Sequence, residues 1–150
     1  MDQLLSLLKE FDIANFLPPM DQFSGTLRFW AAVIMLAGPL VMLGLGLWYY
    51  YKPPKEANHS VGFRTYFGMG SIAAWQFTQK LAGRIYMLLG GGLSAVMLVI
   101  SFFFIWAAPT TAMTWALICV VLELGLALAA WLHIQKTVKS KFDADGKKIA

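Results

Sequence analysis

"IYMLLGGGLSAVMLVISFFFIWAA", residues 85–108, contains no charged side chain. A bilayer core is about 30 Å thick and a helix rises about 1.5 Å per residue, so roughly 20 apolar residues cross it. This stretch is long enough. Two other runs, Phe29–Tyr51 and Met113–Leu132, meet the same requirement. Membrane β-strands would show short segments of alternating polarity, whereas these runs are continuous and rich in Leu, Ala, Gly and Met. Hydrophobic residues make up 59% of the 150-residue chain and charged residues 13%, with a mean hydropathy of +0.63. Ordinary soluble domains are nearer ~45–50% apolar. The expected fold is all-α, an integral membrane three-helix bundle.

Outside the spans the pattern changes. In "MDQLLSLLKEFDIANFLPP" the residues Leu4, Leu5, Leu8, Phe11 and Phe16 share one helical face, which predicts an amphipathic interfacial helix ended by Pro18-Pro19. The stretch lacks the basic start and small-residue cleavage pattern of a signal peptide, so it is expected to stay on the mature protein. Three segments follow: an N-terminal amphipathic arm over 1–27, a three-span domain over 28–135 and a basic tail over 136–150. A lone Cys119 excludes an intramolecular disulfide and any paired-cysteine metal site.

Charge sets the expected orientation. The loop from 52 to 84 carries Lys52, Lys55, Arg64, Lys80 and Arg84 against Glu56, and the tail holds Lys136, Lys139, Lys141, Lys147 and Lys148 against Asp143 and Asp145. The arm has Lys9 and Arg28 against Asp2, Glu10, Asp12 and Asp21, while the connection "APTTAM" is uncharged. Positive residues stay inside, so the N-terminus is expected outside and the loop and tail in the cytoplasm. Trp48 to Tyr51 then mark the inner interface, and Trp106 and Trp115 the outer one. The net charge of +4 fits lysines beside anionic lipid and needs no nucleic acid. Pro39 removes one backbone donor from the first span, which predicts a kink and a free carbonyl at Met35.

The polar stretch between spans one and two is the most motif-like. Ser71 is a good helix N-cap, and no breaker follows until the helix merges with the second span, so one helix is expected from about Ile72. Trp75, Gln79 and Gly83 recur every four residues and share one side of it. Gly62, Gly68 and Gly70 predict a tight non-helical turn carrying Phe63, Arg64 and Thr65. Asn58, then Gly62-Phe63-Arg64-Thr65, then Ser71, Trp75, Gln79 and Gly83-Arg84 resembles the signature of the SdpI family. These are small bacterial membrane proteins named for an immunity protein against a secreted sporulation-delaying toxin. The resemblance runs over roughly residues 55–100. Ile72 and Ala73 stand where acidic residues are common in that family, and Gln79 where Asn is frequent. It implies a short three-span form in the bacterial inner membrane, with Asn58, Gly62, Arg64, Thr65, Ser71, Trp75, Gln79 and Gly83 as the functional motif. Two readings of Arg64 stand: its five-donor fork binds a carboxylate or phosphate, or it pins the loop to a helix end, with Trp75 as an interfacial anchor.

Glu123 is the only charge deep within a span. Its insertion costs about 2.5–3.5 kcal/mol, and the nine Leu, Ile and Val residues between Leu117 and Leu132 each return about 0.3–0.6 kcal/mol. On a helical wheel Ala116, Cys119, Glu123, Ala127 and Ala130 lie together, opposite Leu117, Val121, Leu124, Leu128 and Leu132. Glu123 should therefore face protein. The second span carries a stripe of Gly83, Met87, Gly90, Ser94 and Ser101, and an antiparallel hairpin turning near Pro109 would pair Ser94 with Glu123 and Gly90 with Ala127. A hydroxyl-to-carboxyl hydrogen bond at that depth suits a protonated acid. Glu123 then either fixes helix register or serves as a switch, an ion-coupling group or a ligand contact.

No nucleophile, base and orienter recur at usable spacing, and His59 and His133 lack companion ligands. The expectation is no catalytic residue, no metal, no cofactor and no enzyme activity. The family resemblance implies immunity to a membrane-active peptide toxin, or signalling of its presence, with the bilayer, a toxin or a membrane-recruited regulator as partners. The alternatives are a small transporter or channel using Glu123, which would need a homo-oligomer, and a structural subunit of a membrane complex.

Overall fold

The computed structural model describes residues 20–57 and 60–149, with side chains in the first helix from Phe23 onward. The arm's expected amphipathic helix and Asn58 lie outside the described residues. Three long helices dominate: α1 (Met20–Tyr51), α2 (Ile72–Phe103) and α3 (Pro109–Lys141). All three are long and apolar enough to cross a membrane. Each outruns its apolar core: α1 begins before Phe29, α2 starts in the polar stretch at Ile72, and α3 continues past Leu132 to Lys141.

Local chemistry explains the boundaries. Ser71 is extended and its Oγ accepts from the Ala74 N–H at 3.1 Å, the expected N-cap of α2. Pro109 opens α3, where its missing N–H costs nothing. Between these helices the chain turns sharply, and the Arg28 Nη1 from α1 donates to the Ile105 carbonyl of that turn at 3.0 Å.

The packing partner of the second helix differs from expectation. Gly83 and Gly90 do not face α3; they face α1, where a Cβ on Gly83 would strike Tyr50 and one on Gly90 would strike Leu43 and Pro39. Gly46 of α1 meets the Met87 backbone in the same way. These meetings run in opposite order along the two helices, so α1 and α2 are antiparallel and touch backbone to backbone. Of the helix pairs α1 and α2 are the most extensively packed, and α2 and α3 the least. The reason is steric: glycine permits the closest approach of two helices, and α1 supplies the facing glycine and proline.

The inward face of α3 is the expected one. Ala116, Cys119, Glu123 and Ala130 are buried, while Leu117, Val121, Leu124, Leu128 and Leu132 are exposed on the outside of the bundle. One apolar cluster joins Ala31, Met35, Met97, Phe104, Ala112, Ala116 and Cys119 near the α2–α3 turn. A second, of Phe63, Ala74, Ala82, Ile134, Val138 and Phe142, sits at the loop end.

Candidate functional site

The loop between α1 and α2 is built around a glutamine. Gln79 is fully buried, at 0% exposure. Its Nε2 donates to the Phe63 carbonyl at 2.8 Å, and the Phe63 N–H donates to its Oε1 at 2.8 Å. A side-chain amide thus pairs with both backbone groups of one loop residue, as a neighbouring strand would. Both groups are buried and would otherwise lack partners, so this clamp decides where the loop lies.

Its neighbours complete the seat. Trp75, also at 0% exposure, donates from Nε1 to the Pro54 carbonyl at 2.8 Å, tying the start of the loop to α2. It is therefore a core residue of the loop and not the interfacial anchor that its position suggested. Gly62 holds φ +115°, and a Cβ there would meet the Trp75 ring and the Gln79 Oε1, so shape and backbone both require glycine. The Thr65 Oγ1 accepts from the Gly68 N–H at 2.9 Å, shaping the short 3-10 turn over Phe67–Met69. Gly68 lies against the hydroxyls of Thr65 and Thr78, the latter bonded to the Ala74 carbonyl. Gly83, one turn beyond Gln79, brings α2 onto the end of α1. Trp75, Gln79 and Gly83 share one buried side of α2, as their spacing predicts.

Two loop side chains point the other way. Arg64 and Tyr66 are exposed on either side of buried Thr65, with Tyr66 at 75%. Phe63 and Thr65 turn inward and Arg64 and Tyr66 outward, an order set by the clamp on the Phe63 backbone and by the turn that begins at Tyr66.

The tail adds a part that the charge pattern does not announce. After α3 the chain reverses through Gly146, at φ +71°, with Phe142 bridged to Lys148. The Ser71 Oγ donates to the Gly146 carbonyl at 2.7 Å, and Gly70 and Gly146 are too close to admit a Cβ on either. Phe142 packs on Phe77 with ring centres 5.5 Å apart, and Lys141 lies 4.9 Å over the Phe77 ring. The apolar Phe142 and the turn residue Gly146 inside a basic tail are sequence signals of this docking.

In the spans, Ser94 and Glu123 are each 6% exposed, but they are not bonded to each other. The Ser94 Oγ and the Glu123 Oε1 are both buried without a hydrogen-bond partner among the described residues. The reason is again the partner of α2: its glycine face turned to α1 leaves α3 free to set Glu123 against α1 instead. A Cβ on Gly38 would lie 2.8 Å from the Glu123 Oε2. Nothing in the spacing singles out Gly38 as that seat. Among the described residues no group of His, Cys, Asp or Glu could hold a metal ion.

Residues 55–132 match the model of a known family, described as the SdpI/YfhL protein family, and so cover both the loop and Glu123. No curated protein and no solved structure matches the chain.

Proposed function

Because the chain belongs to the SdpI/YfhL protein family, we propose that this multi-pass membrane protein protects its cell from a membrane-active peptide toxin, or signals its presence, through the loop before α2. The supporting observation is the division of labour within the motif. Gly62, Thr65, Ser71, Trp75, Gln79 and Gly83 hold backbone in place, while Arg64 is displayed on the turn they fix. A guanidinium held on rigid backbone presents its fork without a large ordering cost, which suits recognition of a carboxylate or phosphate on a toxin or on a regulator drawn to the membrane. Tyr66 beside it offers an aromatic contact.

A binding role is favoured over transport. Glu123 is the only charged side chain buried among the described residues, and a path across the bilayer needs polar groups along its length. The loop and tail face the cytoplasm in this reading and the N-terminus faces out, in keeping with the lysines and arginines at the loop end.

The decisive experiment compares toxin survival of cells carrying wild type, Arg64→Ala and Arg64→Lys, with membrane expression and thermal stability measured alongside. Loss of protection in both variants at normal expression and melting temperature is expected, because lysine keeps the charge and loses the fork. Full protection by Arg64→Ala would overturn the reading, and so would cysteine labelling that reaches Ser60→Cys only from outside.

A further inference from the structure

Between α1 and α3 lies a cavity of about 310 Å³, open on its outer side, and Glu123 lines it. The other walls are almost wholly apolar: Ile34, Val41, Met42 and Leu45 from α1, and Leu124 from α3 among them. Val41 and Leu124, at the mouth, are exposed where hydrocarbon would lie. The opening is therefore lateral, into the bilayer.

Among the described residues Glu123 has no cation to pair with. No Lys, Arg or His occurs on α1 between Arg28 and Lys52, or on α2 beyond Arg84. On α3 the nearest are His133 and Lys136, about 15 and 20 Å further along the helix. Tyr86 is the other polar side chain on the cavity wall, and Cys119 lies one turn before Glu123. The carboxyl rests its Oε2 on Gly38, just before Pro39, while Oε1 is buried with no donor. A buried oxygen left without a donor costs about 1–3 kcal/mol, and more when charged. An acid at this depth usually marks a pathway or a ligand.

We propose that this cavity is a lipid-accessible binding site for an amphiphile with one protonatable amine head and an apolar body. Rotation of the Glu123 side chain turns Oε1, shielded in this conformation, towards the cavity, where the amine supplies the donor it lacks and forms with the carboxyl a pair of no net charge, sharing one proton in a medium that penalises isolated ions. The apolar body fills the groove between Val41, Met42, Leu45 and Leu124, at the lower end of ligand-pocket size. A neutral alcohol of equal length gains the same apolar contact without the charge-assisted bond. The site lies within the spans and uses none of the motif residues, so it stands or falls independently of the loop's role.

The test uses the full chain in nanodiscs of neutral phosphatidylcholine and a diazirine-bearing dodecylamine, with labelled residues mapped by mass spectrometry. Labelling is expected at Met42, Leu45 and Leu124, displaced by dodecylamine and not by dodecanol. Glu123→Gln should weaken displacement by at least about tenfold. Val41→Trp, which obstructs the mouth and leaves the acid in place, should remove the labelling even if Glu123→Gln fails to fold. Equal displacement by amine and alcohol, or labelling centred on the outer face of α2 at Leu88 and Val99, would overturn the site.

Discussion

Gln79 and Glu123 are both polar side chains buried on helices of one small bundle, at 0% and 6% exposure, yet they are treated oppositely. Gln79 has its amide oxygen and nitrogen engaged by one backbone residue. Glu123 has an oxygen with no partner and a cavity beside it. A satisfied buried group holds structure. An unsatisfied one is a standing cost that a ligand can remove. The loop end therefore spends its polar atoms on shape and displays Arg64, whereas the middle of the bundle keeps a polar atom in reserve.

The largest effect expected from this contrast is at Gln79. Gln79→Leu keeps the volume and strands both the N–H and the C=O of Phe63, at about 1–3 kcal/mol for each group. Thermal unfolding in detergent should shift strongly downward, and amide exchange should show the loop around Phe63 opening before the helices do. A stability within error of wild type would remove the clamp from its assigned role.

Gly90 ranks next. Gly90→Ala forces a Cβ against the Leu43 and Pro39 backbone of α1, so the helices must part, at the ~1–3 kcal/mol typical of overpacking. The neighbouring Gly92→Ala meets open space and should be tolerated or slightly stabilising. Equal tolerance at both positions would mean that α2 turns another face to α1.

Glu123 should behave in the reverse sense to Gln79. Glu123→Leu removes a buried oxygen that has no partner, so stability should hold or rise, as replacement of poorly compensated buried charges often permits. A marked loss in the same unfolding assay would show that the carboxyl is bonded and would erase the contrast.

The smallest effect is a null one with diagnostic value. In a double-mutant cycle of Ser94→Ala with Glu123→Gln, the coupling energy should be indistinguishable from zero, because the two side chains share no hydrogen bond. A coupling near the ~0.6 kcal/mol average of membrane-embedded hydrogen bonds would restore the pairing of α2 with α3 expected from their small-residue stripes.

Much of the site is readable residue by residue. Ser71 as N-cap, one continuous helix from Ile72, the shared side of Trp75, Gln79 and Gly83, and the inward turn of Glu123 all depend on local spacing, and local spacing survives folding. The role of Trp75 does not, since an aromatic near a membrane surface reads alike whether it anchors to lipid or fills a loop. Its bond to the Pro54 carbonyl depends on a chain segment more than twenty positions away.

Three helices of this chain are long and apolar enough to cross a bilayer, and residue order alone settles that, since length and transfer free energy suffice for it. Residue order also settles which side of α3 is inward, because large and small residues segregate around that helix. The tertiary structure alone decided that Gly83 and Gly90 meet α1, that the Glu123 carboxyl rests on Gly38, and that the tail closes on Ser71. A stripe of small residues states that a backbone can come close, but every helix with a matching stripe satisfies it equally. Only the simultaneous packing of all three helices, with the loop clamped at one end, selects the partner.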